Sequence, residues 1–129
     1  MRKIVASLAC ACLFNFTGWA AVVVPLTFQE LVAGADAILE GDVIDVRSQW
    51  RGAGAEQRIT TSVTFTVRTT FKGPSRATAV IELLGGIVGD RALVVEGMPT
   101  FVAGDHDIVF LETDQALISP IVGFDSGRF

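Results

Sequence analysis

Mostly apolar and polar residues occupy alternate positions between Arg58 and Lys72. Odd positions carry mostly apolar residues, and even positions carry polar ones. The odd set is Ile59, Thr61, Val63, Phe65, Val67, Thr69 and Phe71. Side chains on a β-strand point to its two faces in turn, so this pattern predicts a long strand with one apolar face. Gly73-Pro74 predicts its end, and we expect such a strand to coil around a small barrel or cross a sandwich.

Shorter apolar patterns predict the other strands of a β-domain. A first strand is predicted over 37–48, with a bulge or bend near Gly41-Asp42, where the phase of the apolar positions switches. The apolar run 107–111 predicts a strand that is buried on both faces. A last strand is predicted over 117–122, at an edge because Pro120 cannot donate a ladder hydrogen bond. Two more strands are predicted over 77–84 and 91–95.

One short helix is predicted before the first strand. Thr27 and Glu30 stand three residues apart, which is the spacing of a capping box at a helix N-terminus. Apolar residues then follow at helical spacing to about Gly34. We expect this helix to cover one end of the sheet.

These elements together predict a mainly β fold. Five or six strands with one short N-terminal helix are the content of a small Greek-key barrel of the OB type. A β-sandwich that lacks some strands is the alternative. Residues 21–129 are expected to form one domain. The final residues, 123–129, have the pattern of a strand that has just begun, as a truncated C-terminus would have.

Residues 1–20 have the three parts of a cleavable signal peptide. The basic pair Arg2-Lys3 precedes an apolar run over 4–16, and Gly18 and Ala20 suit the −3 and −1 positions of a cleavage site. An uncleaved anchor stays open as the alternative, because apolar residues continue past the cleavage site. Cleavage predicts a secreted or periplasmic protein with no stable membrane span.

Cysteine content and charge limit the kinds of site and partner that are expected of the mature chain. Both cysteines, Cys10 and Cys12, lie in the predicted signal peptide, so a disulfide framework and a thiolate metal site are not expected. Without residues 1–20, eight basic residues face fourteen acidic ones, a net charge of −6. Nucleic acid is a poor partner for an exported protein of that charge.

The basic residues are concentrated in one hairpin. Six of them, with one acidic residue, lie between positions 47 and 76. In OB barrels the loop after the first strand and the outer face of the next two strands commonly bind ligands. That loop carries Trp50 and Arg51 here, and the outer face carries Arg68 and Lys72. An aromatic ring with cations can bind an anionic glycan, a lipid headgroup or a partner protein's acidic surface, so these four are the candidate ligand-binding residues. Alternatively, Trp50 plugs the barrel mouth and the charges are solvated.

Catalytic and metal-binding patterns are weak. His106 stands between Asp105 and Asp107, and a metal site would have to add Glu112 or Asp114. Zinc and iron sites use several His or Cys ligands, calcium needs six or more oxygens, and alternate strand residues point to opposite faces. No serine stands in a Gly-x-Ser-x-Gly motif. We therefore predict no catalytic residue, no metal and no cofactor.

From residue 35 onward the chain resembles a widespread group of short secreted bacterial proteins of unknown function. The resemblance rests on Ala35-Asp36-Ala37-Ile38 before Gly41, Phe71-Lys72-Gly73, Gly85-Gly86, the run from Gly97 to Asp105, and Val109-Phe110-Leu111. The layout is also similar to the netrin-like modules of metalloproteinase inhibitors, which are OB barrels. That similarity implies a fold only. Those inhibitors use disulfides and place an N-terminal cysteine on the target's zinc, whereas the mature chain here is expected to contain no cysteine.

The sequence as a whole predicts a secreted or periplasmic module that is not an enzyme. It is expected to bind a ligand or another exported protein, and the ligand is not specified. The alternative is a structural accessory of an exported enzyme or envelope complex, with no ligand site of its own.

Overall fold

The computed structural model describes residues 25–113 and 118–129 and is mainly β, with one short helix. Its elements in chain order are α1 (Phe28–Gly34), β1 (Ala37–Arg51), β2 (Arg58–Lys72), β3 (Thr78–Leu84), β4 (Gly86–Val88), β5 (Arg91–Leu93) and β6 (His106–Leu111). The predicted signal peptide lies outside the described residues, as does Asp114. No helix within the described ranges is long and apolar enough to cross a membrane.

Four strands form one antiparallel sheet in the order β3-β2-β1-β6. The sheet curls strongly into a half-barrel, which confirms a mainly β fold with one short helix. A closed Greek-key barrel of five or six strands is not confirmed. In the part of the chain that is described, β4 and β5 pair with each other and not with the main sheet, so they do not join its two edges.

The long strand β2 is confirmed with the predicted limits, and β1 is longer than predicted. β1 continues to Arg51 because β2 offers it ladder partners as far as the pair Arg51 and Arg58. The connection between the two strands is thus only residues 52–57. The sequence placed Trp50 in a loop, and this was wrong: Trp50 and Arg51 lie in the strand.

The predicted irregularity in β1 is present as breaks in its register with β2. One register shift falls between Glu40 and Gly41, and another leaves Ile44 without a partner on β2. The second shift returns Val46 to the face that packs on the core. Gly41 is required at the first shift, because an added Cβ would lie 2.5 Å from the Thr66 carbonyl oxygen.

The main core lies on the concave face of the curled sheet. Val63 and Phe65 on β2 are completely buried there, as the alternating pattern predicts. The apolar face of β2 is not buried along its whole length, however, and Phe71 at its end is exposed. Residues from the other elements complete this core: Leu39, Val43, Ile81, Leu83, Phe101, Val109, Leu111 and Ile121.

Helix α1 covers one end of the convex face, as predicted. Its capping box is formed, since the Glu30 amide donates to Thr27 Oγ1 and the Thr27 amide donates to Glu30 Oε2 at 2.7 Å. Leu31 on the helix packs with Ile38 and Phe110 in a second, smaller cluster. Strand β6 is therefore apolar on both sides at this end, as its sequence predicts, with Val109 in the main core.

The C-terminal segment runs beside β6. The last predicted strand is only partly described and is reduced to an isolated bridge between Ile121 and Leu111. A 3₁₀ turn, Phe124–Gly127, follows. Phe129 then exchanges backbone hydrogen bonds with Ile108, so the end of the described chain is fixed to the sheet edge.

Candidate functional site

The four sequence-predicted binding residues do not converge on one site. Trp50 pairs with Ile59 at one end of the β1–β2 ladder, and Lys72 pairs with Ile38 at the other end. Arg68 is nine residues along β2 from Ile59. At about 3.3 Å per residue, that separation is about 30 Å along the strand. A single small ligand therefore cannot contact Trp50 and Arg68 together.

Both arginines of this set already form salt bridges with carboxylates on other strands of the sheet. Arg51 Nε lies 3.2 Å from Glu82 Oε1, and Arg68 Nε lies 2.5 Å from Asp42 Oδ2. The hydrogen bond and charge of Asp42 raise the pKa of Arg68. The cationic hairpin that the sequence indicates is therefore partly neutralised by acidic residues from β1 and β3.

Of the four predicted binding residues, Lys72 lines a well-formed cavity. Its Nζ donates a hydrogen bond of 2.9 Å to the carbonyl oxygen of Val32, near the end of α1. An ammonium group has three donor hydrogens. Lys72 forms no salt bridge with the residues described, in contrast to Arg51 and Arg68.

The cavity beside Lys72 is an open apolar groove with a volume of about 440 Å³. We call it the phenylalanine groove. Separate parts of the chain build it, namely α1, β1, the end of β2, β6 and the C-terminal residue. Its lining residues are Phe28, Val32, Ile38, Phe71, Lys72, Ile108, Phe110 and Phe129.

Edge-to-face packing of aromatic rings holds the groove walls. The Phe110 ring forms the base, with its centroid 5.9 Å from that of Phe28 and 5.8 Å from that of Phe129. Phe110 is buried, but Phe28, Phe71 and Phe129 are 66%, 59% and 61% exposed. Such a concentration of exposed aromatic surface in one concavity is typical of a binding site.

The sequence pattern did not predict the phenylalanine groove. Phe28 and Phe110 fit the core patterns of a helix and a strand, and Phe71 fits the apolar face of β2. One sequence feature could have indicated exposed aromatic rings: Phe71 and Phe129 lie at the ends of predicted strands, where a core usually stops. Their proximity follows from pairing of strands that are far apart in the chain.

A second cavity of about 410 Å³ lies between the concave face of the sheet and the β4–β5 hairpin. Two hydroxyl groups of its lining are bonded to each other, with Ser48 Oγ 2.9 Å from Thr61 Oγ1. Thr61 donates its single hydroxyl hydrogen to the Gly85 carbonyl oxygen at 2.7 Å, so Ser48 is the donor in the first bond. Both hydroxyl hydrogens are thus used inside the protein.

His106 lies on the convex face between two carboxylates of β1. Its Nδ1 is 2.8 Å from Asp42 Oδ1, and its Nε2 is 3.0 Å from Glu40 Oε1. The bond to Asp42 and then that to Glu40 raise the pKa of His106. Ionised carboxylates only accept hydrogen bonds, so the protonated ring donates from both nitrogens. Neither nitrogen is free to take a proton from a substrate.

The aspartates that flank His106 do not join it. Asp105 Oδ2 and Asp107 Oδ1 each lie 3.0 Å from the guanidinium of Arg128, which also sits 4.2 Å over the Phe101 ring. In residues 25–113 and 118–129, no group of three or more potential ligand side chains is placed to hold a metal ion. The Asp105 and Asp107 carboxylates instead bind the C-terminal segment.

Comparison with known proteins gives no relative from which a role could be transferred. No family model, no curated protein and no solved structure matches this chain. The resemblance to short secreted bacterial proteins and the similarity to netrin-like modules therefore stay predictions. A function has to be argued from the groove and the side chains around it.

Proposed function

We propose that the chain is a non-catalytic binding module that acts in the periplasm or outside the cell, and that the phenylalanine groove is its ligand site. The observation that carries this proposal is the exposure of Phe28, Phe71 and Phe129 around one apolar concavity. Full burial of a phenylalanine side chain is worth about 1.5–3 kcal/mol. A ligand that covers these rings would gain a large part of that free energy.

The groove chemistry favours binding over catalysis. In the described part of the chain, its lining holds one ionisable side chain, Lys72, and otherwise apolar residues. A nucleophile with an adjacent base, or a pair of titratable groups, is the usual requirement for acid–base or covalent catalysis. His106 is saturated by Asp42 and Glu40. These features support a binding role.

Sequence features support the location and the finer fold. The signal-peptide pattern of residues 1–20 and the lack of cysteine in 21–129 favour an exported protein that needs no disulfide. The strand order β3-β2-β1-β6 and the strong curl of the sheet are in keeping with an OB-type barrel. An anionic glycan bound at Trp50 and Arg51 is the competing ligand hypothesis.

Nile red, a neutral apolar dye, tests the groove directly. The exported protein is expected to bind the dye, and the double variant Phe71→Ser/Phe129→Ser is expected to weaken binding at least about tenfold, because it removes two aromatic walls. Val80→Ser is the matched control, since Val80 is 63% exposed but lies on β3, outside both described cavities. Equal binding by all three proteins would overturn the assignment of the site.

The competing hypotheses give different results in the same series. If Trp50→Ala/Arg51→Ala abolishes binding of an anionic glycan while Nile red binding is unchanged, the ligand site lies at that end of the hairpin. A structural accessory without a ligand site would bind neither probe. It would instead co-purify with an exported protein from periplasm or medium, and substitutions at both places would leave that association intact.

A further inference from the structure

The phenylalanine groove has a polarity that limits its ligand. One side of it is aromatic and aliphatic, and among the residues that the structure describes Lys72 supplies the one charged side chain of the lining. A purely apolar ligand would gain nothing from an ammonium group, and a highly charged ligand would gain nothing from the phenylalanine walls. The lining therefore suits a molecule with a long apolar part and one acidic head group.

The Lys72 ammonium is available to such a head group. One of its three donor hydrogens is used on the Val32 carbonyl oxygen, which fixes the side chain against α1. The Thr113 hydroxyl and then the Thr113 amide donate to Asp36 and lower the pKa of its carboxyl group, and the charge of Lys72 lowers it further. The Asp36 carboxylate is thus already bonded to Thr113. Two donors of Lys72 remain for a ligand.

The charge of the site selects the type of head group. One ammonium with two free donors matches the single negative charge and two oxygens of a carboxylate. A phosphate monoester carries a charge of about −1.5 to −2 at neutral pH and is usually bound by more than one cation or by several backbone amides. Arg68, the other cation of this half of β2, is paired with Asp42. A carboxylate therefore fits better than a phosphate.

We infer that the ligand of the phenylalanine groove is a monomeric long-chain carboxylate, with its alkyl chain against the phenylalanine rings and its carboxylate at Lys72. This inference rests on the proposed function and adds the ligand class. A volume of about 440 Å³ is within the usual range of about 300–1,000 Å³ for small-molecule sites. An alkyl chain has no polar atoms to lose hydrogen bonds in an apolar groove.

Displacement of Nile red by dodecanoate, 1-dodecanol and monododecyl phosphate tests the inference. The three share one alkyl chain and differ in head group. At about pH 8, where dodecanoate is ionised, the wild-type protein is expected to bind dodecanoate about tenfold more tightly than dodecanol. This factor is the size of one charge-assisted hydrogen bond.

The variant Lys72→Gln is expected to remove this preference for dodecanoate, and Lys72→Arg is expected to retain most of it. Arg91→Gln, which removes a charge outside the groove, is the control for long-range electrostatics.

The possible results are distinguishable. Equal displacement by dodecanoate and dodecanol, or a preference that survives Lys72→Gln, would overturn the carboxylate assignment while leaving the groove as an apolar site. Tighter binding of the alkyl phosphate would assign a phosphate head group instead. Sedimentation with vesicles rich in phosphatidylglycerol is expected to show no Lys72-dependent binding, and such binding would point to a membrane surface. If the variant Phe71→Ser/Phe129→Ser binds Nile red as tightly as the wild-type protein, the proposed function itself is rejected.

Discussion

Nδ1 of His106, the first residue of β6, lies 2.8 Å from Oδ1 of Asp42 on β1. Nε2 of the same ring reaches Glu40, and the other oxygen of Asp42 accepts from Arg68 on β2. One imidazole thus links three strands through a polar network on the convex face. Its strength depends on the charge of His106, which gives the protein a pH-dependent contact beside the groove.

Stability is expected to fall as the pH rises through the folded-state pKa of His106. Asp42 and Glu40 raise this pKa above the ordinary value of 6.5, so the folded protein holds the proton more tightly. The contribution is complete below about pH 6.5 and is lost above the folded pKa. The pKa of Asp42 is lowered, first by Arg68 and then by His106, so its contribution is lost in acid. The melting temperature should therefore be higher at about pH 6 than at about pH 8.5.

His106→Gln provides the control, because the chain has one histidine. Glutamine can still donate a hydrogen bond to Asp42 but has no charge to lose. The difference in melting temperature between the two pH values is expected to shrink in the variant. An equal difference in both proteins would show that other groups cause the pH dependence.

Thr60→Val is expected to leave the free energy of unfolding unchanged or to raise it slightly. Thr60 Oγ1 is buried and has no hydrogen-bond partner among the residues that the structure describes, so the substitution removes an unsatisfied hydroxyl at nearly constant volume. Thr61→Val is the matched variant one residue away, where the hydroxyl donates to Gly85 and accepts from Ser48. It should lose about 1–2 kcal/mol in urea unfolding. Equal effects of the two substitutions would contradict the hydrogen-bond assignment.

Gly41→Ala is expected to destabilise the protein by about 1–3 kcal/mol, because the new methyl group would press against the Thr66 carbonyl oxygen. The backbone of β1 or β2 would have to move. Gly34→Ala is the comparison, since its nearest contact is the Val122 side chain at 3.3 Å. We expect it to change the free energy of unfolding by less than about 0.5 kcal/mol. Thermal or urea unfolding measures both, and a Gly41→Ala protein as stable as wild type would show that β1 can shift there without cost.

Arg128→Met is expected to lower the free energy of unfolding by about 3 kcal/mol. Asp107 is almost completely buried and loses its charge partner, and the cation over Phe101 is lost as well. Adding Asp107→Asn to the same protein should recover part of the loss, because a neutral amide costs less to bury than an unpaired carboxylate. If the double variant is no more stable than the single one, the ion pair does not account for the loss.

Local chemistry explains which elements were predicted from the sequence. The limits of β2, the capping box of Thr27 and Glu30, and the two buried faces of β6 depend on residues within a few positions of each other. Side-chain alternation and helix capping are properties of such short stretches. The extension of β1 to Arg51 was missed because it depends on the partner strand.

The candidate site depended on contacts that no short stretch contains. Arg68 looked free in the sequence and is paired with Asp42, which is 26 residues away. Strand alternation argued against a site that joins His106 to its flanking aspartates, but its actual partners, Glu40 and Asp42, are more than 60 residues away in sequence. The sequence indicated Lys72 as a binding residue because of its charge. Only the packing of α1 and β6 against the end of β2 shows that it lies beside the groove.

The sequence by itself determined a β-rich chain with one long two-faced strand and a capped helix, because each of these is written in the spacing of adjacent residues. Tertiary structure alone decided that Phe28, Phe71 and Phe129 meet in one groove and that Lys72 is the cation beside it. The physical reason is that strand register and curl set the distances between residues far apart in the chain, and binding depends on those distances.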